Sequence, residues 1–356
     1  MAPPTGVHRV AEQLILALDE LLGLDSEIRQ RWDIELFAPR RLHHTLSLAH
    51  IPFRQGGVFT HIPWEQFDLP YRAMRNGAMI VGFCNLGPVI ATNAVTMIHD
   101  AQVYLSPESY SKPFRLWYKT VQPLLGKRHT RILAVSDYSR TQLANARVAR
   151  LEKTTVLHNG ADHILSMPAD QKTLKALNLA PGSFVLGRAN TQPHKNVRVL
   201  IKAFADPRLI EKTLVLFGAA NREAFEAAIG ASIPSNVVFA GKVSDGELRA
   251  LMESALCLAF PSTTEGFGLP PLEAMAVGCP VICAPCGALP EVCGDAVMYA
   301  DADSPDAWVE GILSLAVDQD RRRNRIEAGL KHADQFKWLN VAKRLITLLD
   351  ATPPVR

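Results

Sequence analysis

The stretch that decides the fold is Phe260-Pro-Ser-Thr-Thr-Glu-Gly-Phe-Gly-Leu-Pro-Pro-Leu-Glu-Ala-Met-Ala276. It begins where Ala255-Leu-Cys-Leu-Ala-Phe260, an apolar run with the composition of a buried strand, ends. Pro270-Pro271 then opens an amphipathic helical pattern, and Pro at the first helical position gives up no donor the helix needs. Between strand and helix lies a loop flanked by Gly266 and Gly268, where backbone can approach a ligand closely. The N–H groups of a first helical turn have no partner inside the helix, so this order of elements suits an anion of diphosphate size. Glu265 stands at the start of the loop and Glu273 eight residues later. That spacing predicts that Glu265 faces the reacting end of an elongated ligand while Glu273 reaches hydroxyls further along it. The plainer reading makes them a loop acid and a surface helix acid around an ordinary turn.

The rest of the chain bounds these readings. Its 356 residues have room for two α/β domains, and 48% hydrophobic with 21% charged residues is the balance of a soluble globular protein. The formal charge of +3 is uneven: residues 1–150 carry 17 Lys+Arg against 12 Asp+Glu, a net of +5. A weakly basic first half suits anionic phospholipid or a phosphate-bearing substrate, and surface noise gives as much. Cys279, Cys283 and Cys286 have the C-x3-C-x2-C spacing of iron–sulfur ligands. Pro280-Val281-Ile282 between them reads as a strand, so reduced buried thiols and no metal are expected. With no signal peptide in view, a reducing cytoplasm is the expected compartment. Residues 77–98 carry no charge, but Gly82, Asn85, Gly87, Pro88 and Asn93 break the run, which predicts strand, loop and strand and no membrane span.

In chain order, helical spacing predicts a helix over 10–22, then a strand over 34–38, a helix over 42–49 and strands over 58–62, 78–83 and 94–98. The last ends at His99-Asp100, where a parallel sheet presents its active groups. Residues 112–131 carry six basic residues and no acid, with Phe114, Trp117, Val121 and Leu124 along one face. That face fits either an interfacial helix on anionic lipid or core packing, and the buried strand that follows at Ile132–Ser136 favours the core. A polar connection over 163–181 separates the halves. Phe184–Gly187 then reads as a strand leading into Arg188-Ala-Asn-Thr-Gln-Pro-His-Lys195-Asn196, whose two cations are placed to hold a diphosphate. Further strands are predicted at 214–217, 237–240 and 280–283, and helices at 307–316, 321–336 and 339–349. The run Arg321-Arg322-Arg323 reads as a solvated face, and no nucleic-acid motif accompanies it.

Glu265-x7-Glu273 within "PSTTEGFGLPPLEAMAVGCPVI", together with "TGVHRV", "HD" at 99–100, "TVLHNGAD" at 155–162 and "KN" at 195–196, resembles the GT4 family of retaining glycosyltransferases. The resemblance runs from about Gly6 to the end. It implies the GT-B fold, two Rossmann-like doubly wound domains facing across a cleft. Its boundaries would be 1–165 for an acceptor-binding domain and 166–336 for the nucleotide-sugar domain, with 337–356 a helix returning to the first. In the family "TGVHRV" follows a first strand, and no strand pattern precedes Gly6: either the start lies one strand too late or the first domain has lost that element.

The roles implied are catalytic for His99, Glu265, Arg188 and Lys195, and donor-binding for Gly6, Val243, Gly266, Phe267, Gly268, Leu269 and Glu273. His194 stands where the family usually has Arg. The activity implied is transfer of a hexose, mannose by analogy, from a nucleotide-diphosphate sugar to a glycan or polyprenyl-linked acceptor, with retention and without metal or other cofactor. Peripheral contact with anionic membrane goes with the acceptor. The alternatives are a catalytically inactive scaffold and a sugar-nucleotide epimerase of the same fold.

Overall fold

Apolar runs of three to five residues, each followed by a helical pattern, pair in parallel because a crossover helix returns the chain to the same edge of its sheet. The computed structural model describes residues 6–40, 46–230 and 232–352, and the chain divides into two units, 1–160 with 337–356, and 161–336. The division falls five residues ahead of the expected 165. Ala161 N donates to Phe336 O at 2.8 Å, so the outgoing and returning crossings of the second unit lie side by side.

In the second unit six strands, β7 (Phe184–Arg188), β8 (Thr213–Phe217), β9 (Val237–Gly241), β10 (Cys257–Phe260), β11 (Val281–Cys283) and β12 (Met298–Tyr299), form one parallel sheet in the order β12-β11-β10-β7-β8-β9. Strands β7, β8 and β10 are buried nearly throughout, as a sheet covered on both faces requires. Val185, Leu216, Ala259 and Ile282 are wholly buried, in one cluster with Trp308 and Phe204.

The first unit is built differently. Its strands β3 (Ile80–Gly82), β4 (Ala94–Ile98), β5 (Arg131–Ala134) and β6 (Thr154–Val156) form a four-stranded parallel sheet. Strands β1 (Leu36–Ala38) and β2 (Phe53–Gln55) form a separate parallel pair. The first described residue, Gly6, opens the helix Gly6–Leu24, which packs against the helix Trp338–Asp350. Asp350 ties that last helix to the short helix Ser26–Arg31 by accepting from Arg31 Nη2 at 2.8 Å and Trp32 Nε1 at 3.1 Å.

Three local expectations change. Residues 58–62 are not a strand: Asp68 Oδ2 accepts from the N–H groups of Val58 and Phe59 at 2.9 and 2.8 Å, and a short helix starts at His61. Of the helix expected over 42–49, residues 42–45 lie outside the described residues and 46–49 are irregular. The helix Lys112–Arg128 divides along its length, with Val121 and Leu125 in the core of the first unit and Phe114 and Leu116 exposed. Residues 77–98 form β3, a loop and β4, and no helix of the described residues is long and apolar enough to cross a membrane.

Candidate functional site

In an open parallel sheet the ligand crevice lies at the carboxyl ends of the strands, where the strand order reverses. In the second unit that point is between β7 and β10, because β8 and β9 continue to one side of β7 and β10, β11 and β12 to the other. The loops leaving β7 and β10 are the ones that carry Arg188, Lys195 and the Glu265 to Gly268 segment.

These loops are tied to one another through their backbones. Thr263 N donates to His194 O at 2.8 Å, joining the β10 loop to the β7 loop. Ala288 N donates to Glu265 O at 3.0 Å, joining the turn after β11 to the same place. Gly287 permits this approach: its φ is +63°, and a Cβ there would fall 2.5 Å from Glu265 N. Gly268 is the second required glycine. With φ +97° it caps the helix Leu269–Ala276, and a Cβ would meet Leu289 Cδ2 at 2.5 Å.

Lys195 Nζ donates to Glu265 Oε1 at 2.8 Å, with the two side chains 19% and 13% exposed. A cation and a carboxylate from the two switch-point loops are thus held together beside a helix N-terminus. Lys195 is fixed there because Asn196, left-handed with φ 51°, anchors its loop by donating Nδ2–H to Ala302 O at 2.7 Å. Arg188 is exposed at the carboxyl end of β7. His194, in place of the family's Arg, is buried, and its carbonyl serves the Thr263 contact, so its position supports the loop. Gly266 and Phe267 are buried, with the Phe267 ring edge-on to Phe336 at 6.2 Å. Leu269 begins the helix and Val243 follows β9, both half-buried.

Glu273 is buried at 6% exposure, which corrects any reading of it as a surface acid. Its Oε1 lies 2.9 Å from His163 Nε2, a close approach outside hydrogen-bond alignment, and His163 is buried as well. His163 falls in the stretch read from sequence as connection, and a lone His in a polar segment gives no signal of this contact.

His99 and Gly6 belong to the first unit. His99 sits at the carboxyl end of β4, buried, with Nε2 donating to Phe83 O at 2.7 Å, which leaves Nδ1 as the acceptor nitrogen. Burial lowers its pKa to about 4, against the smaller opposite pull of the Phe83 carbonyl, so the ring is neutral at pH 7. Asp100 Oδ1 accepts Gln102 N at 2.9 Å and so caps the following turn. Gly6 is exposed, with open space where a Cβ would stand.

The cysteines of the C-x3-C-x2-C spacing lie on and around β11, and Cys279 and Cys283 are buried. The hydrogen bond with the neighbouring Cys293, and burial after it, push the Cys283 thiol far above its ordinary range. Among the described residues no group of three His, Cys, Asp or Glu side chains could hold a metal ion.

Comparison with known proteins bears on the family and the fold. The sequence model of glycosyl transferases group 1 matches residues 177–332, the span that contains the loop geometry above. The O-antigen chain mannosyltransferase B of Escherichia coli is 33% identical over 265 residues, 71% of this chain and 69% of that protein. The O-antigen chain mannosyltransferase RfbU of Salmonella typhimurium is 24% identical over 233 residues, covering 64% of this chain and 62% of its own length. Among solved structures, Anabaena HepE in complex with UDP-glucose superposes with a TM-score of 0.72 at 21% identity, covering 99% of this chain and 97% of that one, which shows a shared GT-B fold. The chain belongs to the glycosyl transferases group 1 family and is by that membership a glycosyltransferase.

Proposed function

We propose that this chain transfers mannose from GDP-mannose to a glycan or lipid-linked acceptor in the synthesis of a cell-surface polysaccharide, with retention of anomeric configuration and without a metal ion. The observation that carries the reading is the Lys195–Glu265 contact at the strand switch point, beside the helix that opens at Leu269. A departing nucleoside diphosphate gathers negative charge, and Lys195, Arg188 and the helix N-terminus are the groups placed to stabilise it. Glu265, with the backbone of Gly266, Phe267 and Gly268, would fix the sugar, and Glu273 the ribose hydroxyls; Val243 would lie at the base. His99 would accept a hydrogen bond from a sugar hydroxyl at Nδ1. Gly6 would approach the phosphates.

The reading gives no side chain the part of a covalent nucleophile. The bond from the sugar's anomeric carbon to the phosphate oxygen breaks with its electron pair on the phosphate. The acceptor oxygen bonds to the same face, and its proton passes to the departing phosphate. The names of the Escherichia coli and Salmonella relatives support mannose and an O-antigen-like acceptor. The Anabaena structure, with UDP-glucose bound, supports a nucleotide-sugar donor of another kind.

The test is to incubate the purified chain, in EDTA, with a mannose-terminated oligosaccharide and either GDP-mannose or UDP-glucose, and to read the new linkage by NMR. The expected product forms from GDP-mannose alone and keeps the donor's anomeric configuration. Transfer from UDP-glucose alone, loss of activity in EDTA, or an inverted linkage would overturn the reading.

A further inference from the structure

Glu273 is a buried acid that the protein itself hardly answers. Its side chain is 8% exposed, and among the described residues its one ion-pair partner is His163 and no donor gives it a hydrogen bond. A carboxylate has lone pairs for about four hydrogen bonds, and a buried one without donors costs free energy. Paired O–H groups on one ligand satisfy it, and a vicinal diol carries two at the spacing of a single carboxylate.

His163 stands against this acid with Nε2 2.9 Å from Oε1, its own side chain 2% exposed. The segment that carries it is fastened to the helix Asp245–Ser254 at three places. Arg249 Nη1 donates to Leu165 O at 2.8 Å and to Met167 O at 2.7 Å, which closes the carboxyl end of the short helix His163–Ser166. Asp170 N donates to Gly246 O at 3.0 Å, and a Cβ on Gly246 would fall 2.6 Å from Pro168 O. Thr173 Oγ1 donates to Glu247 Oε1 at 2.8 Å. Ile164 is buried next to His163, so the short helix cannot roll without exposing it. Two buried side chains from separate, fastened elements thus meet at one carboxyl oxygen.

We propose that His163 is a positioning residue for Glu273: it bounds Oε1 on one side and turns Oε2 to the vicinal hydroxyls of a ribose, so that the site selects ribonucleotides over their deoxy analogues. The inference rests on the transferase reading, which gives Glu273 the ribose. The two hydroxyls donate to the carboxylate. A nucleotide that lacks them leaves the acid buried and unanswered, and that penalty is the selectivity.

The test is isothermal titration of the full chain with GDP and with 2′,3′-dideoxy-GDP, in the native protein and in His163→Asn and His163→Gln. In the native protein, loss of both hydroxyls is expected to weaken binding about ten- to a hundredfold. The Asn side chain is too short to reach Oε1, so His163→Asn is expected to weaken GDP about tenfold and leave dideoxy-GDP within about threefold, which collapses the preference and shows the site still folded. The Gln amide takes the place of Nε2, and His163→Gln is expected to keep most of the preference. The inference is overturned if His163→Asn keeps the native preference, if either variant weakens both nucleotides equally, or if the native protein binds the two alike. Binding of neither nucleotide to the native protein overturns the GDP-mannose reading, and this inference with it.

Discussion

Ala259 and Ala73 are the same residue in opposite surroundings. Ala259 lies in β10, at the centre of the second unit's sheet, with no surface exposed. Ala73 lies in the helix Leu69–Arg75 and lines a cavity of the first unit. Around Ala259 every strand has its neighbours and helices cover both faces, so the switch-point loops leave a fixed platform. Around Ala73 the sheet is divided, and the elements that border the division are held by helices and polar ties such as Asp19, which accepts three backbone N–H groups from residues 49–51 at 2.7 to 2.8 Å. The contrast teaches that the same small residue is held to its size in a sheet paired on both sides and is free of that limit beside a cavity.

The largest effect that would sharpen this contrast is at the platform itself. Lys195→Ala removes a fixed cation from the charge that develops on the leaving diphosphate, so kcat should fall about 10²- to 10³-fold with thermal stability little changed. A fall of less than about threefold would remove Lys195 from the mechanism.

Next comes packing. Ala259→Leu adds three carbons to a filled core and should cost about 1–3 kcal/mol in denaturant unfolding. Ala73→Leu should be neutral or stabilising, because its carbons can enter the cavity. Equal destabilisation by the two would break the comparison.

The pH dependence follows from His99, neutral and buried with a pKa near 4, against about 6.5 in an unfolded chain. Between those values the unfolded chain binds the extra proton, so stability falls as pH drops from 6.5 towards 4, by up to about 1.4 kcal/mol per pH unit. His129, also lowered by burial, acts in the same direction. His99→Gln should flatten the fall in part, and an unchanged slope would show that His99 does not contribute. Smallest of all, Arg323→Ala breaks an exposed pair with Asp320 and should change stability by no more than about 0.5 kcal/mol.

Much of the second unit was legible in the sequence, since its strands are apolar runs between glycine and proline punctuation, and Glu265, Lys195 and Gly268 stand in the loops the pattern assigned to them. What could not be read was long-range. The burial of Glu273 depends on His163, a residue more than a hundred positions away whose own segment looks like a connection. The Gly287 turn holds Glu265 only because two loops from different strands converge. In the first unit the apolar residues of 58–62 suggested a strand, and a single carboxylate, Asp68, redirected them into a turn. The face of the helix Lys112–Arg128 looked uniform by spacing, while neighbours bury only its second half. Side-chain chemistry thus travelled well along the sequence where a motif confined it, and poorly where a distant partner set it.

The central claim is that the switch-point loops of the second unit hold a nucleoside diphosphate. The most direct test is a thermal-unfolding series of the chain and its Lys195→Ala variant against GDP, UDP, ADP and dTDP in EDTA. The account predicts that one nucleotide stabilises the chain by about 2.7 kcal/mol at a hundredfold excess over its dissociation constant. The variant should need a much higher concentration for the same shift. Cooperative melting with no shift from any of the four, or an equal shift in the variant, would contradict it.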